Sequence, residues 1–161
     1  MRPLFTPWRM AYLKSHGAPG CIFCGALGAA DPREGLVVHV GSENFVLLNR
    51  FPYTNGHLMI APKAHAASLN ALTPSGRTEI MDLILRAQEA LTGLYAPGGF
   101  NIGMNLGACA GAGVADHLHV HVVPRWEGDT NFMSVTAETR MIPEDMDLTW
   151  RRVREAFGGN K

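Results

Sequence analysis

The chain has 161 residues, of which 47% are hydrophobic and 17% charged, and this balance excludes an intrinsically disordered chain. The length predicts a single domain spanning residues 1–161. Fourteen basic and fourteen acidic side chains cancel, so we expect no general affinity for nucleic acid or for an acidic membrane surface.

An apolar arm followed by three strands is predicted for the first part of the chain. Residues 1–20 hold prolines and glycines that prevent a long helix, and their apolar side chains predict packing on the domain or on a partner subunit. Alternating or continuous apolar runs predict strands at 36–40, 44–49 and 57–61, separated by turn sequences.

A long helix is the clearest element of the middle of the chain. Apolar residues recur at helical spacing over 75–95. Thr73 and Pro74 supply an N-cap and a first-turn proline, and a proline-glycine sequence at 97–99 ends the helix. A strand over 100–105 is predicted from the alternation that follows.

The last part of the chain predicts a strand and a short helix. The strand covers 117–123 and ends at Pro124, and the helix covers 148–157 within a C-terminal extension, 127–161. Strands in mainly hairpin order around one long helix indicate an α+β fold.

Three cysteines suggest a reducing compartment. Cys21 and Cys24 form a CxxC pair and Cys109 stands alone, which favours reduced thiols or a metal site over a disulfide framework. The N-terminus lacks the apolar core of a signal peptide, and no apolar run is long enough to span a membrane. We therefore expect a cytoplasmic protein without a membrane span.

Three histidines alternate with apolar residues in the sequence HLHVHVV at 117–123. In a strand, His117, His119 and His121 project from one face and the apolar residues project into the core behind them. A solvated row is the simplest alternative, but exposed strands usually carry Lys, Glu or Thr instead. Aligned imidazoles instead predict a metal site, or a nucleophile whose tautomer is fixed by its neighbours.

The loop before this strand favours a nucleophile. Its sequence, LGACAGAG at 106–113, contains Gly107, Gly111 and Gly113, which allow backbone N–H groups to approach phosphate oxygens. Such a loop can also be a simple connection, but beside three histidines it predicts phosphoryl transfer through a phosphohistidine-type intermediate. Cys109 has no base at a suitable spacing and is interpreted as a small loop residue.

Half of a zinc site is indicated by the CxxC pair, which lies near a predicted strand. Two histidines from elsewhere in the chain would complete a tetrahedral set. The alternative is a reduced pair of thiols without metal.

The histidine sequence resembles a known family. HLHVHVV matches the pattern His-φ-His-φ-His-φ-φ of the histidine triad (HIT) superfamily of nucleotide hydrolases and transferases at every position. The segments LLNRFPYTNGHLMIAPKAH at 47–65 and FNIGMNLG at 100–107 resemble the strand-turn-strand and the pre-loop strand of that family. The segments TPWRMAYL at 6–13 and RWEGDTNFM at 125–133, with the CxxC, are most similar to bacterial diadenosine tetraphosphate phosphorylases.

This resemblance implies a fold and an assembly. A HIT-type core over 21–126 would form a five-stranded antiparallel sheet with one long helix, and two chains would form a two-fold homodimer with continuous sheets. The arm and the regions around Trp126 and Trp150 are expected to contact the partner subunit.

The resemblance also implies catalytic roles. His119 would be the nucleophile, His121 would contact phosphate oxygens, His117 would hold His119 in its reactive tautomer, and His57 would lie near the nucleophile. Many family members have Gln, Ser or Thr just before the triad. Residues 113–116 are Gly-Val-Ala-Asp, so backbone amides would have to meet the phosphate or the leaving group.

A nucleotide site and a metal site follow from the same resemblance. The expected nucleotide-binding residues are Asn49 on the ribose, Asn105 on a phosphate oxygen, Gly111 and Gly113 in the loop, and Phe45, Leu47 and Pro52 around an adenosine. The expected ligands of one structural zinc are Cys21, Cys24, His65 and His117. Neither a catalytic metal nor an organic cofactor is expected.

The predicted function is nucleotidyl transfer from dinucleoside polyphosphates through a nucleotidyl-histidine, as in diadenosine tetraphosphate phosphorylases. One alternative is a hydrolase of dinucleoside polyphosphates or adenosine phosphoramidates. Another is a non-catalytic module that binds nucleotides. The expected partner is an adenine dinucleotide, not nucleic acid or a membrane.

Overall fold

A five-stranded antiparallel sheet organises the computed structural model, which describes residues 20–129 and 144–158. The strands are β1 (Val37–Val40), β2 (Asn44–Leu48), β3 (Leu58–Pro62), β4 (Gly99–Gly103) and β5 (Val120–Arg125), in the order β1-β2-β3-β5-β4. The helices are α1 (Ile22–Gly28), α2 (Pro74–Tyr95) and α3 (Met146–Ala156). The α+β prediction is confirmed, while most of the predicted arm and part of the C-terminal extension lie outside the described residues.

The main core lies between the sheet and the helices α2 and α3. Helix α2 contributes Ile80, Leu83, Ile84, Ala87 and Leu91, which are all buried. The Thr73 hydroxyl accepts a hydrogen bond from the Gly76 N–H, as expected for an N-cap. The predicted start and end of this helix are therefore confirmed to within one residue.

A smaller apolar cluster covers the opposite face of the sheet. Phe23 of α1 packs there, with an exposed fraction of 1%, against strand residues that include Phe45, Leu47, Met59 and Ala61. Helix α1 was not predicted from the sequence, because two glycines within seven residues weaken the helical pattern. Its position matters because this is the face from which the histidines project.

Helix α3 packs its apolar side into the main core. Trp150, Val153 and Phe157 are buried, and the Trp150 indole N–H donates to the Val37 carbonyl at 3.0 Å. The Trp150 side chain is therefore a core residue of this chain, and a contact of the region around it with a partner subunit stays a prediction. Trp126 is half-buried and donates its indole N–H to the Tyr95 carbonyl.

Strand β5 begins three residues later than predicted and ends two residues later. The register with β3 pairs Ile60 with Val120, so continuing the ladder would place Pro62 opposite Leu118. Because proline has no N–H, the ladder stops, and the Leu118 N–H bonds to the Ala66 carbonyl instead. Pro124 is tolerated within β5 because the pairing with β3 ends at Val122.

None of the helices in the described part of the chain has the length and apolar character needed to cross a membrane.

Glu79 of α2 ties the turn between β1 and β2 to the helix. Its carboxylate accepts hydrogen bonds from the backbone N–H groups of Ser42, Glu43 and Asn44 and from the Asn44 side chain. Burial alone raises the pKa of Glu79, but these hydrogen bonds outweigh burial and hold the pKa below its usual value.

We expect Glu79→Gln to lower the free energy of unfolding by about 2 kcal/mol at pH 7, because an amide replaces an ionised acceptor. A lowered folded-state pKa stabilises the fold above the unfolded-state pKa, and this contribution disappears as pH falls through the folded-state value. Urea unfolding at pH 7 and in acid measures both effects. Glu89→Gln, at an exposed position of the same helix, is the control. If the free energy of unfolding depends on pH equally in wild type and in Glu79→Gln, the stabilising role of the ionised Glu79 carboxylate is contradicted.

Candidate active site and metal centre

His119 has a fixed tautomer in this structure. Its Nδ1 lies 2.9 Å from the carbonyl oxygen of His117. Because a carbonyl only accepts, Nδ1 carries the proton and Nε2 holds a lone pair. The sequence-based prediction gave this role to His117, and the structure assigns it to the His117 backbone rather than to its imidazole.

The surroundings of His119 keep its imidazole neutral. The side chain is buried, and its ring packs on Phe23 with centroids 4.8 Å apart. Burial lowers the pKa of His119, and the hydrogen bond to the His117 carbonyl only partly opposes this effect. A neutral imidazole with Nε2 unprotonated is the form that can attack phosphorus.

A chain of hydrogen bonds sets the tautomer of His121. The Tyr53 backbone N–H donates to Nδ1 of His57 at 3.1 Å, so His57 carries its proton on Nε2. His57 Nε2 lies 2.9 Å from Nδ1 of His121, which therefore accepts and carries its own proton on Nε2. Burial first, and the nearby His119 second, lower the pKa of His121 to about 4. His121 is thus a neutral hydrogen-bond donor beside the nucleophile.

Asn49, the predicted ribose ligand, has protein partners in this structure. Its amide Nδ2 lies 3.3 Å from His57 Nδ1, and its Oδ1 accepts from the Phe51 N–H at 3.0 Å. Asn49 therefore helps to hold His57, a role that sequence reasoning missed. Its contact with a ribose stays a prediction.

Two of the residues predicted to surround the adenosine, Phe45 and Leu47, lie on the histidine face of the sheet. Leu47 pairs with Met59, and Met59 pairs with His121, so the three side chains form one row across the strands. Phe45 is 0% and Leu47 5% exposed, because Phe23 of α1 covers this region. A nucleoside contact at Phe45, Leu47 and the half-buried Pro52 stays a prediction.

The glycine-rich loop is closed by a side chain that was predicted to contact phosphate. Asn105 is exposed and donates from Nδ2 to the Gly111 carbonyl at 3.2 Å. Gly111 has a φ of +87°, a conformation that favours glycine. Gly113 is half-buried and Cys109 is exposed in a short 3₁₀ turn. Phosphate contacts of Asn105, Gly111 and Gly113 stay predictions.

The four predicted metal ligands come together. Cys21 Sγ lies 3.2 Å and Cys24 Sγ 3.7 Å from His117 Nδ1, and Cys24 Sγ lies 3.5 Å from His65 Nδ1. All four ligand atoms lie within 4.8 Å of one another. Tetrahedral zinc with sulfur and nitrogen ligands places these atoms about 3.5 Å apart, so the donor set fits.

The protonation of His117 also suits a metal ligand. Its Nε2 donates to the Pro62 carbonyl at 2.8 Å, which leaves the Nδ1 lone pair directed at the two thiols. Metal-binding histidines commonly donate their second nitrogen to a backbone carbonyl in this way. The thiols lie at the start of helix α1, with Cys21 as its N-cap.

Two aromatic residues at this site were missed by sequence reasoning. Phe23 contacts the rings of His117 and His119, with centroids 5.1 and 4.8 Å away. Tyr53 contacts the rings of His57 and His121 at 4.6 and 6.0 Å. The sequence contains one signal for Phe23, which is its position between Cys21 and Cys24. A residue between two predicted metal ligands is held close to the other ligands, and one of these is His117 of the triad.

Comparisons with known proteins agree with this geometry. An "AP-4-A phosphorylase" of Mycobacterium tuberculosis is 39% identical over 153 residues, which cover 89% of this chain and 78% of that protein. An asymmetrical bis(5'-nucleosyl)-tetraphosphatase of Schizosaccharomyces pombe is 31% identical over 97 residues, which cover 56% of this chain and 53% of that protein.

A solved structure has the same fold. The Zn-bound histidine triad family protein of Mycobacterium smegmatis superposes with a TM-score of 0.66 at 27% identity, covering 88% of this chain and 96% of that one. The family model of the HIT domain matches residues 35–128, which include strands β1 to β5, the glycine-rich loop and all three triad histidines. The chain therefore belongs to the HIT domain family.

Proposed function

We propose that this enzyme transfers a nucleoside monophosphate from a dinucleoside polyphosphate to orthophosphate through a covalent intermediate on His119. The observation that carries this proposal is the Nε2 lone pair of a neutral, buried imidazole, fixed by the His117 carbonyl. A site that only bound nucleotides would not need an imidazole held in its nucleophilic tautomer.

The reaction has two balanced steps. His119 Nε2 attacks the α-phosphorus, a P–N bond forms, and the bond to the bridging oxygen breaks, so that its electron pair leaves with the nucleoside polyphosphate. An oxygen of orthophosphate then attacks the same phosphorus. The P–N bond breaks, its electron pair returns to Nε2, and a nucleoside diphosphate is released.

His121 is placed to stabilise the charge that develops on the phosphoryl and leaving oxygens. The hydrogen-bond chain from Tyr53 through His57 leaves a proton on His121 Nε2, and its ring lies 4.9 Å from the His119 ring. Residues 113–116 carry no hydroxyl or amide side chain, so this imidazole, the loop backbone and Asn105 are the donors that we expect to meet these oxygens.

The acceptor is tested by incubating the protein with diadenosine tetraphosphate, with and without orthophosphate. Phosphorolysis yields ADP and ATP and needs phosphate. This is the result that we expect, and the likeness to the mycobacterial phosphorylase supports it. AMP and ATP formed without phosphate would instead indicate an asymmetric hydrolase. Tight binding with no turnover would overturn the enzymatic proposal in favour of a binding module.

One structural zinc is proposed for the site formed by Cys21, Cys24, His65 and His117. Four protein ligands leave no open coordination position, so the ion would fix the fold and would not take part in the reaction. It would join the start of α1 to the segments after β3 and before β5.

A two-fold homodimer is proposed through strand β4. This strand pairs only with β5 in the described part of the chain, so its other edge can extend the sheet into a second copy. Ile102 on this strand is 41% exposed. The contributions of the N-terminal arm and of Trp126 to this contact stay predictions, as does the cytoplasmic location.

A further inference from the structure

We propose that Tyr53 forms a second base-binding position, at which its ring stacks on the base of the nucleotide that leaves His119. This inference rests on the proposed function and extends it to the second half of the substrate. It makes Tyr53 the residue that distinguishes a dinucleoside polyphosphate from a mononucleotide with the same phosphate chain.

The row of imidazoles has one closed end. At that end Phe23 covers the rings of His117 and His119, and its side chain is 1% exposed. Both ring nitrogens of His117 face protein atoms, the Pro62 carbonyl oxygen on one side and the cysteine sulfurs on the other. A polyphosphate bound at His119 therefore cannot extend along the row past His117.

Tyr53 lies beside His121, the last imidazole of the row. The ring centroids of His119 and His121 are 4.9 Å apart, and the Tyr53 ring lies 6.0 Å from His121, with its plane tilted by 25° from that imidazole, and 4.6 Å from His57. The Tyr53 side chain is 49% exposed, so its ring offers aromatic surface where the leaving nucleotide would emerge.

The loop that presents Tyr53 is held in place by contacts of the three residues that follow it. The Thr54 hydroxyl donates to the Pro124 carbonyl at 2.8 Å, and Asn55 is 7% exposed beside Thr149. Gly56 has a φ of +74°, and a Cβ there would lie 2.9 Å from the Leu91 side chain. A ring fixed in this way loses little conformational entropy when a base stacks on it.

Stacking on an aromatic ring is tolerant of base identity, because every base has a π-face. We therefore expect Tyr53 to recognise the presence of a second nucleoside rather than a particular base. Phe51, two residues earlier on the same loop and 36% exposed, would widen this surface.

The test compares two substrates that share the reacting nucleotide. Diadenosine tetraphosphate has the second adenosine, and adenosine 5′-tetraphosphate has the same phosphates without it. We expect Tyr53→Ala to lower kcat/KM for the dinucleotide about 10-fold more than kcat/KM for the mononucleotide, with the difference mainly in KM. Tyr53→Phe keeps the ring and should behave as wild type with both. Met81→Ala, an exposed apolar position on α2, is the control.

Each other result has a defined meaning. The backbone N–H that Tyr53 donates to His57 survives both substitutions, so an equal loss with both substrates would show an effect on the histidines and overturn the second site. No loss with either substrate would also overturn it.

Failure of the proposed function is detected separately. If wild type cleaves neither compound, binding of both to His119→Gly is measured by calorimetry. A preference for the dinucleotide that Tyr53→Ala removes would support the base site and refute the transfer reaction. Equal binding of the two compounds, or no binding, would overturn the base site.

Discussion

His119→Gly should lower kcat for nucleotidyl transfer by about 10⁴-fold or more, while the Kd for the dinucleotide changes only slightly. The substitution removes the imidazole that the structure presents with an unprotonated Nε2, beside His121 in the row of triad histidines. The contacts that would hold the nucleoside and the phosphates come from other residues. Single-turnover kinetics and calorimetry separate the two effects.

Two controls sharpen this experiment. Added imidazole should restore part of the turnover, because glycine leaves a ring-sized space beside Phe23 and the free base can occupy it. His39→Gln changes a histidine that lies on β1 against Arg86 and Phe157, away from the triad, and should leave kcat unchanged. Near-native turnover by His119→Gly would rule out the covalent mechanism.

Local sequence signals were sufficient to predict most of the elements that frame the site. Helix α2 is defined by its apolar spacing, the Thr73 cap and the proline that follows, and all of these act within a few residues. The alternation of histidines with Leu118, Val120 and Val122 correctly placed these apolar residues in the core. The family resemblance supplied the five-stranded antiparallel sheet, which no local pattern contains.

The hydrogen-bond arrangement could not be predicted because it depends on pairing between distant segments. Pro62 stops the ladder with β5 only because the register places it opposite Leu118, and this break lets its carbonyl accept from His117. The tautomer of His121 depends on the backbone N–H of Tyr53. Nearly every residue has such a group, so the sequence does not show which one makes the hydrogen bond.

Helix α1 could not be predicted from the sequence for the same reason, because it depends on contacts with distant segments. Its seven residues include Gly25 and Gly28, so propensity alone does not predict a helix. Burial of Phe23 against the histidine face of the sheet stabilises helix α1. The contacts that Cys21 and Cys24 make with His117 and His65 stabilise it further. Tertiary contacts therefore determine this element.

Cys21→Ser should lower the melting temperature by about 6–12 °C, the shift that corresponds to a loss of about 3 kcal/mol in a domain of this size. Purified without chelator, wild type should carry one zinc per chain. The site links three separate segments, so its binding free energy contributes to the stability of the fold. We expect Cys21→Ser to lose less stability than a zinc finger loses without its metal, because the main core contains none of the four ligands.

Cys109→Ser is the matched control, because this thiol is free and exposed and lies outside the ligand cluster. Its melting temperature should equal that of wild type. A chelator should lower the melting temperature of wild type and of Cys109→Ser, and it should have no further effect on Cys21→Ser. Well under one zinc per chain, with unchanged stability of Cys21→Ser, would contradict the metal assignment.

The same substitution tests whether the metal supports the active site through α1. Phe23 lies two residues after Cys21 and packs on the His119 ring, so loosening the start of this helix would free one side of the nucleophile. The hydrogen bond from His119 Nδ1 to the His117 carbonyl is made to the backbone and includes no thiol. We therefore expect Cys21→Ser to lose activity at the temperature at which its fold loosens, and to retain His119 modification by substrate below it.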